Sequence, residues 1–259
     1  MIKFNIGVTC IGYDSKELLT KALLPWIELK RYLPDNIEKL LISVSHGCFE
    51  ETYKLGYPLL SKDGTHNYIN SLKNDNLIDN AIIYNTPQKE YTMWTNNYLW
   101  MKDKIDLLIM LNADEIWEPK EIENMLKFIE FNYLCNYFKI NFKNFCINER
   151  TWVNDFIVPR VWFTRVLGGL KGFYQDDLVE YENGIKDIQT NHLVIPTNLV
   201  FPKHYSWIGS KEYLQRKLNF QKLRYHTCSY TWDNEKDELC LNEDFYKQSG
   251  KTKPILNYV

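Results

Sequence analysis

Residues Leu107 to Pro119 read LLIMLNADEIWEP. Five apolar side chains run into Asn112 and Ala113, and the carboxylates Asp114 and Glu115 follow directly. A short unbroken apolar run suits a strand buried on both faces, and such strands belong to parallel sheets covered by helices. In those sheets ligands bind outside the carboxyl ends of the strands, which is where Asp114 and Glu115 fall. Carboxylate oxygens facing a cleft suit Mg2+ or Mn2+, which take one or two protein carboxylates and fill the rest of their shell with phosphate and water. The competing reading makes one of the two acids a cap for the next helix, whose first position Pro119 marks.

Outward from this stretch the first half alternates strands and helices. Phe4, Ile6, Val8 and Cys10 share one face of a period-two strand; Asp14 or Ser15 then caps a helix carrying Leu18, Leu19, Ala22, Leu23 and Trp26. Lys39–Ser45 and Ala81–Asn85 read as short apolar strands, and Trp94, Tyr98 and Met101 recur at helical spacing within 92–104. The order β-α-β-α-β-α-β predicts an α/β fold with a mostly parallel sheet between helix layers. Beyond Pro119, Ile122, Met125, Leu126 and Ile129 form the buried stripe of another helix. Residues 56–76, rich in Asn, Asp, Gly and Ser, read as a mobile insertion or a short helix near Tyr68. In the second half YFKINFKNFCI and RVWFTRV alternate as strands, GGLKGFYQDD reads as a Gly-rich turn ending in two carboxylates, and Ser210 caps a helix carrying Leu214, Leu218 and Leu223.

Composition limits the function. The chain of 259 residues is 45% apolar and 15% aromatic, enough for a sizeable core. Its 31 Lys plus Arg against 33 Asp plus Glu give a formal charge of -2 and no general attraction to nucleic acid or anionic lipid. No apolar run approaches the ~20 residues of a membrane span, and the first residues suit a strand better than a signal peptide. Six cysteines without a Cys-x-x-Cys pair read as reduced thiols in a cytoplasmic protein. His226, Cys228 and Cys240 lack the compact spacing of a zinc site.

The run LLIMLNADEIWEP resembles the strand-to-loop segment of GT-A glycosyltransferases, family 2 in particular, whose Asp-x-Asp motif often reads LDADE before an aromatic or apolar pair. FNIGVTCIGYDSKELLTKAL is similar to that family's first strand and nucleotide-contacting turn, and YTMWTNNYLWMKDK to the helix that carries Arg-Asn before the motif, with Asn96 at the Asn position and Thr95 at the Arg position. LGGLKGFYQDD and PKHYSW follow in the family's order of glycine loop, catalytic acid and metal-proximal His. The resemblance covers roughly Lys3 to Trp207. It departs at Asn112, where the family has an acid, and at SVSHGCFEE, where many members read the base with Asp-Asp-Gly-Ser.

What the resemblance implies is a GT-A (Rossmann-like) domain over residues 1–207, with a smaller β-containing acceptor-side half, and a C-terminal helix and tail over 208–259 packed on it. It implies a metal-dependent, inverting transferase moving a sugar from a UDP- or GDP-sugar to a hydroxyl of a glycan, lipid-linked or protein acceptor. Asp114 and His204 would hold Mn2+ or Mg2+; Thr9, Ile11, Tyr13, Asn96, Asn112, Ala113 and Glu115 would contact the donor; Asp177, ahead of Asp176 and Glu180, would be the general base. Replacing Asn112 by Asp is expected to preserve or tighten metal binding. Read alone, His204 is equally a histidine packed among aromatics, the Asp pair equally turn residues, and Lys203, Arg160 and Arg165 surface charges. Trp162, Tyr174 and Trp207 flank the expected site and can stack on a sugar ring. The rivals are a nucleotidyltransferase, which lacks its Gly-rich phosphate loop here, an acidic-site hydrolase, and an inactive carbohydrate- or nucleotide-binding protein.

Overall fold

The structure is a computed structural model and describes residues 3–147, 150–175, 177–226, 228–249, 251 and 254–258. Strand β1 (Phe4–Gly12) leads into helix α1 (Lys16–Arg31), then β2 (Ile37–His46), the short helices α2 (Glu50–Lys54) and α3 (Thr65–Asn74), β3 (Asn80–Ile83), α4 (Glu90–Met101) and β4 (Leu107–Asn112). These four strands lie in the order β3-β2-β1-β4 with parallel pairing throughout. Side chains alternate across them. Ile6, Val8, Ile42, Val44, Ile109 and Leu111 pack under α1 and α3, while Leu41, Leu108 and Met110 pack under α4. The segment 56–76 holds α3, whose Ile69 and Leu72 are buried on the sheet; the hydrophobic pair inside a polar stretch anchors it.

Two contacts set how closely α4 approaches its neighbours. A Cβ at Gly7 would lie 2.2 Å from Met101 Sδ. Asn97, fully buried in α4, donates to Ser45 Oγ (3.0 Å) and to the Cys10 carbonyl (3.2 Å) and accepts from Ser43 Oγ (2.9 Å), so the two β2 serines are satisfied from the helix.

After β4 come the two-residue strand β5 (Glu115–Ile116) and α5 (Pro119–Phe131), which begins with a Glu118–Glu121 capping box and buries Ile122, Met125, Leu126 and Ile129. The sheet then continues in mixed sense. β6 (Tyr137–Cys146) and β7 (Thr151–Phe163) form an antiparallel pair, and β7 joins β4 antiparallel. The Gly-rich turn of the sequence reading is instead a hairpin, β8 (Leu170–Gln175) with β9 (Leu178–Tyr181). Gly172 permits it: a Cβ there would lie 2.9 Å from Thr95 Cγ2, so β8 rests directly on α4. β10 (His192–Val194) and β11 (Lys203–Trp207) run parallel to β6, and β11 also pairs antiparallel with β5.

The chain ends with α6 (Lys211–Tyr225), the hairpin β12 (Tyr230–Asp233) and β13 (Glu238–Leu241), α7 (Glu243–Ser249) and β14 (Asn257–Tyr258) against β7. Leu214 and Leu218 of α6 join Cys146, Val153, Trp207 and Tyr230 in a separate apolar cluster, but Leu223 is 41% exposed and lies outside that stripe. None of the six cysteines is in a disulfide among the described residues. No helix of the described residues is long and apolar enough to cross a membrane.

Candidate active site

The carboxyl ends of β1 and β4 open into a cavity of about 370 Å3, roofed by α6. Ile11, Tyr13, Asn112, Ala113, Asp114, Asp177 and His204 line it, together with Arg160 and, from α6, Tyr213, Arg216, Lys217, Phe220 and Arg224. Asp114 reaches this wall because the chain turns immediately after β4. His204 reaches it because β5 pairs with β11 in a register that sets His204 opposite Glu115, while the Tyr205 N–H donates to the Asp114 carbonyl at 2.8 Å. His204 Nε2 then lies 3.5 Å from Asp114 Oδ1, and Lys217 Nζ 3.5 Å from Asp114 Oδ2.

The electrostatics of Asp114 are set by these neighbours. Burial alone would raise its pKa, but His204 and Lys217 outweigh burial and hold the carboxyl well below its usual range. Lys217 is raised despite its own burial, by Tyr213 and Asp114. His204 stacks on Phe156 with ring centroids 4.3 Å apart, and its Nδ1 bonds Asn144 Oδ1 at 3.0 Å. If Nδ1–H donates to that amide oxygen, a cation that replaced the Nε2 proton would find the ring lone pair and the Asp114 carboxylate turned toward each other. Facing lone pairs at that separation fit a cation between them. Among the described residues no third His, Cys, Asp or Glu joins them, a donor set that fits Mg2+ or Mn2+ sharing a phosphate group rather than a closed protein cage.

Glu115 does not face the cavity. It is fully buried behind the loop, where Arg160 Nη2 donates to its Oε1 at 2.6 Å and Asn112 Nδ2 to the same oxygen at 3.0 Å. Arg160, read from sequence as a surface charge, is 1% exposed because its aliphatic and planar parts lie against Phe142 and Phe156. Its Nη1 sits 3.5 Å from Asp177 Oδ2, so one guanidinium ties the β4–β5 turn to the β8–β9 hairpin.

The remaining expected residues are placed elsewhere. Thr9 is fully buried in the sheet, and Asn96 donates to the Tyr84 hydroxyl at 2.9 Å instead of lining the cavity. Glu180 pairs with Lys171 at 3.1 Å on β9. Asp176 lies outside the described residues. Trp162 is buried and donates to Asp187, Trp207 is buried under Lys217, and Tyr174 lies beneath Lys186; none of the three is on the cavity wall. Sequence reasoning missed the cationic face of α6. Its signal was a second helical stripe, Tyr213, Arg216/Lys217, Phe220/Gln221 and Arg224, beside Leu214 and Leu218.

A parallel four-strand unit with acidic residues at the end of its last strand, continued by an antiparallel pair and a helix-covered cleft, is a GT-A-like, Rossmann-like fold. Solved structures agree. S. aureus TarS superimposes with a TM-score of 0.50 at 12% identity, over 86% of this chain and 72% of that one. TarS in complex with UDP-GlcNAc gives a TM-score of 0.51 at 12% identity over 83% and 64%, and the mannosyltransferase PcManGT from Pyrobaculum calidifontis, in complex with GDP-Man and Mn2+, gives 0.51 at 11% over 88% and 66%. The chain spans less than two thirds of the length of the latter two. No family model and no curated protein matches the sequence.

Proposed function

We propose that the chain is a glycosyltransferase that moves a sugar from a nucleotide-sugar donor, UDP- or GDP-linked, to an acceptor hydroxyl with inversion at the anomeric carbon. One observation carries the reading: Asp114 with His204 and Asp177 with Arg160 line the same cavity at the carboxyl ends of the parallel strands. The reaction needs a charge-stabilised diphosphate and a base on a shared anomeric carbon, and these groups are of the required kinds. The structures with UDP-GlcNAc and with GDP-Man and Mn2+ support the donor class.

In this mechanism the acceptor oxygen forms a bond to the anomeric carbon as the bond from that carbon to the diphosphate oxygen breaks. The acceptor proton passes to an Asp177 oxygen, and the electron pair of the broken bond leaves on the diphosphate. Arg160 orients Asp177 and, held by Glu115, keeps it in register with the β4–β5 turn. Asp114 and His204 would hold Mn2+ or Mg2+, which supplies Lewis-acid stabilisation of the leaving group. Tyr13, Phe49 and Phe220 offer apolar faces for the nucleoside, and Tyr213 for the sugar.

The inactive-binder reading rests on Asn112 standing in an acidic position and on the altered end of the second strand, SVSHGCFEE. The hydrogen bond from Asn112 to Glu115 gives that amide a structural task and bears on the first ground alone. The test is release of nucleoside diphosphate from UDP- and GDP-sugars with Mn2+, measured beside calorimetric binding of UDP and GDP. Metal-dependent binding of one diphosphate that Asp114→Ala abolishes is expected. Equal affinity in wild type and Asp114→Ala at saturating Mn2+ would remove the metal assignment, and failure of both diphosphates to bind would remove the transferase.

A further inference from the structure

The roof of the cavity carries cations that the mechanism above leaves without a task. Lys217 is unusual for a lysine: its side chain is only 17% exposed, its stem passes Trp207 and Tyr213 with Nζ 5.4 and 5.8 Å from the two ring centroids, and it bonds Ser206 Oγ. Its ammonium therefore points inward, to Asp114 Oδ2, at a distance longer than a close ion pair. Arg216, one residue earlier, is 13% exposed at its side chain and pairs with Asp14, from the turn after β1. Both residues line the cavity, and both hold carboxylates from the strand ends, where a donor's phosphates would sit.

We propose that Arg216 and Lys217 form a built-in diphosphate clamp that exchanges Asp14 and Asp114 for the donor's phosphate oxygens, so that part of the leaving-group charge is neutralised by the chain itself. This rests on the transferase reading and adds to it a metal-independent component of donor binding. The physical case is one of exchange. Burying an ammonium needs a compensating charge, and in the free protein Asp114 provides one. A diphosphate entering between Lys217 and the Asp114–His204 pair provides a better one, with more oxygens and a higher charge. Once a divalent ion takes Asp114, the ammonium needs a new partner, and the phosphate is the nearest chemistry that fits. The same geometry makes Lys217 and the metal competitors for Asp114 when no nucleotide is bound.

The clamp is testable by titration calorimetry with inorganic pyrophosphate, UDP and GDP, each in EDTA and in Mn2+, and with Mn2+ alone. Wild type is expected to bind pyrophosphate and one of the two nucleotides in EDTA. Lys217→Met should weaken that binding roughly 10-fold or more, the scale of a hydrogen bond to a charged group, while Lys217→Arg retains most of it. For Mn2+ alone the effect reverses, because Lys217→Met removes the competing ammonium and should bind the ion several-fold more tightly than wild type. A merely structural lysine would not produce opposite signs for anion and cation. Metal-dependent nucleotide binding with no binding in EDTA, or with EDTA affinity equal in wild type and Lys217→Met, overturns the clamp and leaves the transferase standing. Absence of diphosphate binding even with Mn2+ overturns both.

Discussion

At the scale of single residues the site depends on charges that are held, not free. Glu115 and Arg160 form a buried pair, so Arg160→Met strands a carboxylate in the interior and is expected to cost about 3–5 kcal/mol in chemical denaturation. Asn112 belongs to the same group. Because its amide donates to Glu115, Asn112→Asp sets two carboxylates face to face and should lower stability by about 1–3 kcal/mol, a cost that the sequence-based expectation of preserved or tighter metal binding did not include. Asp177→Asn should keep donor affinity and lose roughly 100-fold in turnover, the usual scale for a lost general base; near-wild-type turnover would move the role to a neighbour. His46 supplies a pH signature. Burial first, and His66 second, push its pKa down to about 4, and the Ser61 N–H donates to Nε2 at 3.2 Å, an acceptor that protonation would remove. A lowered pKa means the folded state resists protonation, so stability is fully present above the ordinary value near 6.5 and falls as pH drops toward 4, by about 3 kcal/mol at most. Denaturation midpoints across that range should slope in wild type and flatten in His46→Gln.

Among elements, the β8–β9 hairpin and α4 act as a unit. The Phe173 N–H donates to Thr95 Oγ1 at 2.9 Å and Gly172 lets the strand lie against the helix, so Gly172→Ala should push the hairpin outward and displace Asp177. A destabilisation of about 1–3 kcal/mol is expected, with a larger fall in turnover than in donor affinity. Element by element, legibility followed periodicity. α1 and α5 were readable because each buries one regular apolar stripe, and β1, β2 and β4 because their apolar runs are buried on both faces. β5 was not, since two residues carry no period, yet its pairing with β11 is what brings His204 to Asp114. The Gly-rich segment read as a turn because the sequence does not reveal the helix against which its glycine must fit. α6 was legible only by its leucines: a stripe of cations facing an internal cavity looks, in one dimension, like a solvated face. Arg160 failed for the same reason, its partner Glu115 and its neighbour Phe142 being distant in sequence.

For the whole molecule, binding should couple to unfolding. A nucleotide held only by the native state at about 100 times its dissociation constant adds about 2.7 kcal/mol, so UDP or GDP with Mn2+ should raise the melting temperature, and Asp114→Ala should erase the metal-dependent part of the rise. The roof helix gives the molecule one further property. Arg216 grips Asp14 across 202 positions of chain, and Arg224 grips Glu90 across 134. Translation proceeds at about 5–20 residues per second, so the segments that carry Asp14, Glu90 and Asp114 leave the ribosome well before α6 does. The crevice at the carboxyl ends of β1 and β4 is thus lined by acids from early segments of the chain, and its charge balance depends on a helix that lies far along the sequence.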